Sequence, residues 1–126
     1  MDQAWELLFE GKIEEAKKLV EADFSLETCT NFSLLNLMGY IYLEEQNYSE
    51  CLSIYQRYID LARIKSDQEN EHVGYHQLAM IYREMGHFQK ALLYIDQEMQ
   101  IIRKYFPNDA LKFSVNNYEQ GYLRLK

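Results

Sequence analysis

The sequence predicts an all-α protein built from repeated antiparallel helix hairpins, and three observations carry that prediction. The stretch from Leu78 to Ala91 is echoed 40 residues upstream, with Gly39 standing for Ala79, Tyr42 for Tyr82, Tyr48 for Phe88 and Cys51 for Ala91. Self-similarity at a fixed period marks a repeat architecture. Apolar residues recur at helical spacing along most of the chain, and one proline with five glycines in 126 residues leaves too little turn chemistry for a many-stranded β protein.

The elements follow in order. Ala4, Trp5, Leu7, Leu8 and Phe9 fit a short helix from Asp2 to Glu10, which Gly11 ends by allowing a left-handed turn. Ile13, Ala16, Leu19 and Val20 then form one stripe of a second helix, with Glu14, Glu15, Lys17, Lys18 and Glu21 opposite. These two make a hairpin over about residues 2–23. After a polar loop, Thr30 or Asn31 caps a helix from Phe32 to Glu45; Gln46-Asn47 makes the turn, and a partner helix runs from Tyr48 to about Lys65. Ser66 to Glu71 is a polar run with capping residues and reads as a connection and the start of the next helix. The third hairpin spans 71–105, turning at Gly86-His87 and stopping at Phe106-Pro107-Asn108; a final helix occupies 109–126. About seven helices in one domain, 1–126, are expected.

With 48% hydrophobic and 26% charged residues the chain is globular. Its net charge of −7 repels phosphate backbones, and no dense basic cluster opposes this, so nucleic acid is not an expected partner. Cys29 and Cys51 form no CxxC or zinc-like group and suit a reducing compartment. The N-terminus has no basic segment followed by an apolar run, and no stretch approaches the ~20 apolar residues that span a bilayer. A cytoplasmic protein without membrane association is expected.

The repeated residues resemble the tetratricopeptide repeat. One copy runs through Leu35, Met38, Gly39, Tyr42, Tyr48, Cys51 and Tyr55, and the next through Tyr75, Leu78, Ala79, Tyr82, Gly86, Phe88, Ala91 and Ile95. Ala4, Leu7, Gly11, Ile13 and Ala16 form a truncated first copy, and Val115, Tyr118 and Tyr122 a partial last one. Leu7 departs from the usual tyrosine, and Glu119 falls where a small residue belongs. The spacing exceeds the usual ~34 residues, similar to the long repeats of kinesin light chains and of peptide-pheromone regulators of Gram-positive bacteria. The resemblance implies a right-handed α-solenoid, in which Gly39 with Cys51 and Ala79 with Ala91 allow the two helices of a hairpin to cross closely.

It also implies a concave groove lined by the first helix of each hairpin, holding an extended peptide or a partner protein. The positions that would face it are Asn36, Tyr40, Leu43, His76, Gln77, Met80, Arg83, Asn116, Asn117 and Gln120. Carboxamides there offer both donor and acceptor to a peptide backbone. Arg83 could meet a carboxylate, although Glu84 lies beside it and solvated neutralisation is the simpler role.

No constellation for catalysis stands out. There is no nucleophile beside a base and no glycine-rich phosphate loop, and the glutamates fall mainly on predicted solvent faces, where a carboxylate is a poor general acid. His72 and His76 are four residues apart on one helix face without an HExxH pattern, so neither a metal nor a cofactor is expected. A non-enzymatic interaction module is therefore expected. The alternatives are a peptide-sensing regulatory domain of a larger signalling system, or a self-association unit dimerising through the last helix, where Tyr118, Tyr122 and Leu125 would otherwise lie open.

Overall fold

Four helix ends in this chain close by the same backbone device. At Gly11, Gln46, Ser66 and Gly86 the chain takes positive φ angles of 81°, 57°, 53° and 79°. The following amide in each case reaches back across the turn: Lys12 N–H to Leu7 O, Asn47 to Tyr42, Asp67 to Ala62 and His87 to Tyr82, all at 2.8 Å. This six-to-one bond satisfies carbonyls that a helix end leaves orphaned. Four helix starts share a second device, an Asx cap, in which Asn31, Asn47, Asp67 and Asp109 accept hydrogen bonds from the amides of Leu34, Glu50, Asn70 and Lys112.

In the computed structural model, which describes residues 2–22 and 24–126, these signals delimit seven helices and no strand among the described residues. They are α1 (Asp2–Phe9), α2 (Ile13–Glu21), α3 (Phe32–Glu44), α4 (Tyr48–Ile64), α5 (Gln68–Glu84), α6 (Phe88–Tyr105) and α7 (Ala110–Arg124). The all-α class holds. Asp23, where the first hairpin was expected to end, lies outside the described residues. One boundary moves: α5 starts at Gln68 rather than Glu71, because Ser66 turns the chain and Asp67 caps it at once.

The helices fall into two compact units, Met1–Arg57 and Tyr58–Lys126, with the boundary inside α4. In the first, α1 and α2 pair across fully buried Ala4 and Ala16, and Lys17 Nζ meets the Glu45 carboxylate at 3.2 Å. Gly39 of α3 lies against the Tyr55 ring of α4 so closely that a Cβ there would stand 2.6 Å from it. Cys51 packs at the same crossing and its thiol donates to Gly39 O at 3.5 Å. The close helix approach expected at the small residues is therefore present.

In the second unit, Ala79 and Ala91 are buried with Ile95 and Leu123 in one cluster, with Met80, Tyr82, Phe88 and Tyr94 packed around it. Tyr82 stacks on Tyr94 at 5.5 Å between centroids. Fully burying a side chain the size of Ile95 or Leu123 contributes roughly 1.5–3 kcal/mol. The face that α7 buries consists of Asn116, Glu119 and Leu123, two of them polar. Tyr118 and Leu125 are 70% and 87% exposed, whereas Tyr122 is half-buried under the Arg83 guanidinium, 4.7 Å from its ring centroid.

Candidate functional site

A carboxylate lies where helix periodicity alone gives no reason to expect one. Glu98, on the α6 face that also carries Ile95 and Ile102, is buried. Its Oε2 accepts from His72 Nδ1 at 2.9 Å, and its Oε1 from His76 Nδ1 at 3.1 Å and from Asn116 Nδ2 at 2.9 Å. An ionised carboxylate only accepts hydrogen bonds, so both histidines carry a proton on Nδ1. Burial opposes the charge on Glu98, yet these three donors outweigh it and hold the carboxyl at about 2. Burial also works against a charged His76, but the hydrogen bond and charge of Glu98 prevail and raise its pKa above the ordinary value.

Helix geometry explains how the cluster assembles. His72 and His76, one turn apart, share a face of α5 turned towards α6, and Asn116 on α7 meets the same carboxylate from the other side. Asn116 also donates to Ile95 O at 3.0 Å. The His72 ring packs edge-on to Phe106, 5.7 Å away, and its Nε2 is buried without a hydrogen-bond partner. Glu69 Oε1 stands 3.7 Å from that nitrogen, too far for a hydrogen bond.

Beside the cluster, between α5 and α7, is an open cavity of about 220 Å³. Val73, Leu111 and Val115 form its apolar walls, and His76, Gln77, Glu98 and Lys112 its polar side. Lys112 Nζ is held by Glu69 at 2.8 Å and Asp109 at 3.5 Å.

The residues expected to line a groove are distributed unevenly. In the first unit Asn36 accepts a hydrogen bond from the Tyr55 hydroxyl at 2.6 Å, Tyr40 packs edge-on to Trp5 at 5.7 Å, and Leu43 is half-buried. In the second, His76 and Gln77 meet at the cavity, while Met80 packs on the Ala79–Ala91 cluster. Arg83 is engaged by Glu119 at 2.7 Å rather than by Glu84. Asn116 is completely buried and supports the site from below instead of facing outwards. Gln120 donates to Asn116 Oδ1 at 2.7 Å, and Asn117 is exposed.

Sequence reasoning, which places the glutamates mainly on solvent faces, misses Glu98, and it sets Glu119 at a small-residue position without its pairing to Arg83. The available signal was their spacing: Glu98 lies three and four residues from Ile95 and Ile102 on the core stripe, where only a paired carboxylate can be accommodated. Among the described residues no group of three or more histidine, cysteine, aspartate or glutamate side chains is arranged to hold a metal ion. Cys29 and Cys51 are buried and unpaired, and burial pushes the Cys51 thiol up to about 11, which makes it a poor nucleophile.

Helical hairpins that cross at small residues, turn through left-handed caps and carry a cavity between the first helices of successive hairpins define a helical-repeat protein. The tetratricopeptide repeat profile matches residues 30–104, more than half of the chain, and the protein belongs to that family. The match is to the family as a whole and does not select its kinesin light chain or pheromone-regulator branches. No curated protein and no solved structure matches the sequence significantly. Family membership suggests a protein–protein interaction module, and no helix among the described residues is long and apolar enough to cross a membrane.

Proposed function

We propose that the chain is a non-enzymatic interaction module that holds an extended peptide segment of a partner along the face formed by α5 and α7. The observation that carries this reading is the cavity beside His76 and Gln77: an apolar recess with a few fixed polar groups is what a bound side chain requires. The buried Glu98 cluster supports it by fixing the imidazoles, so little side-chain entropy is lost on binding. Half-buried Gln77 lines the same recess. A cytoplasmic setting fits the two buried, unpaired cysteines.

A random-peptide display selection tests the reading. Binders should be enriched, and Val115→Trp, which blocks the cavity mouth, should weaken them at least tenfold while Glu14→Ala on α2 leaves them unchanged. No enrichment, or binders indifferent to Val115→Trp, would refute it.

A second reading, self-association through α7, is favoured by the exposure of Tyr118 and Leu125. Sedimentation at micromolar concentration should then show a dimer that Tyr118→Glu dissociates, and a wild-type monomer would remove this reading.

A further inference from the structure

We propose that the cavity between α5 and α7 is an anchor pocket for a single tyrosine side chain of the bound segment, an assignment that rests on the interaction reading above. Size is the first argument. About 220 Å³ is less than the ~300–1,000 Å³ of pockets that enclose whole small-molecule ligands, but it is on the scale of one aromatic side chain. Leu111 and Val115 are 73% and 43% exposed on its rim, and an apolar ring seated between them and Val73 removes that surface from water.

Charge is the second argument. Both oxygens of Glu98 are engaged by His72, His76 and Asn116, so the carboxylate presents no unmet demand for a cation. Lys112 is similarly held by Glu69 and Asp109, which removes the demand for an anion. The pocket therefore selects a neutral occupant.

Hydrogen bonding separates the neutral aromatics. His76 gives Nδ1 to Glu98, and its ring is only partly buried, so Nε2 is the nitrogen left for a ligand. That atom accepts when the ring is neutral and donates when it is protonated. A phenol hydroxyl pairs with either form, an indole N–H only with the neutral one, and a phenyl ring with neither.

The test uses p-cresol and toluene as probes on the full chain, followed by methyl and histidine ¹⁵N NMR. p-Cresol should shift the Val73 and Val115 methyls and His76 Nε2 saturably, and bind about fivefold more tightly than toluene, the effect of one net hydrogen bond. His76→Phe should abolish the preference, and Val115→Trp should abolish binding of both probes. Because Val115 is solvent-exposed, that second variant keeps the fold. Equal affinity for the two probes, no saturable shift, or shifts that survive Val115→Trp would each overturn the assignment. A display-selected peptide that lacks tyrosine and leaves Val73 unshifted would overturn the pocket while preserving the interaction reading. Saturable p-cresol binding with no peptide enriched would overturn the interaction reading, and with it the anchor role, leaving only a phenol-binding cavity.

Discussion

Asn116 of α7 donates to Glu98 of α6 at 2.9 Å, and both side chains are buried. This bond fixes the helix that bounds one side of the cavity to the carboxylate that orients the two histidines on the other. The same contact thus contributes to both packing and the candidate site.

Glu98→Ala should be strongly destabilising. It leaves the buried His72 Nδ1–H and one Asn116 donor, and the partly buried His76 Nδ1–H, without their acceptor, at a cost of about 3–5 kcal/mol. Urea denaturation measures this directly. A loss below about 0.5 kcal/mol would mean that water replaces the carboxylate without penalty.

Stability should peak in mildly acidic solution. The His76 pKa is raised on folding, so its contribution is complete below its unfolded value near 6.5 and is lost as pH rises through the folded value. Glu98 is depressed to about 2, so its contribution is present above its unfolded value near 4.5 and fades as pH falls towards 2. Glu119 and Arg83 also act on His76, in opposite directions. The urea midpoint should therefore decline from pH 6 to pH 8, and His76→Asn should flatten that decline.

The left-handed turns offer stabilising substitutions. Gln46 and Ser66 hold φ of 57° and 53°, where a Cβ is strained and glycine is not. Gln46→Gly and Ser66→Gly should each add about 0.5–1 kcal/mol, while Gly86→Ala should cost about 1 kcal/mol. Thermal melts of the three variants check the signs, and a destabilised Ser66→Gly would contradict the argument.

The helix crossings should resist enlargement. A Cβ at Gly39 would press on the Tyr55 ring at 2.6 Å, and that ring cannot swing away without breaking its bond to Asn36. Gly39→Ala, Ala79→Leu and Ala91→Leu should each cost about 1–3 kcal/mol. A denaturation midpoint equal to the parent's in any of them would show that the crossing has slack.

The helices were legible because their causes are local. Gly11, Gly86, the Asx caps and the apolar stripes act over a few residues, and the repeated Gly39/Ala79 and Cys51/Ala91 pairs announce the crossings. Even the misplaced start of α5 arose from a local competition, between reading Ser66 and Asp67 as loop and reading them as turn and cap. The site was less legible: Asn36 and Asn116 looked like ligand-facing carboxamides, yet one is engaged by Tyr55 and the other is buried.

By itself, the sequence determined that this chain forms helical hairpins of a tetratricopeptide kind, because turn chemistry, periodicity and small-residue spacing are properties of neighbouring residues. Only the tertiary structure decided that Glu98 is buried. Its partners His72, His76 and Asn116 lie 26, 22 and 18 residues away along the chain. A carboxylate's environment is set by which groups surround it in space, and three donors converge on Glu98 only when α5, α6 and α7 pack together.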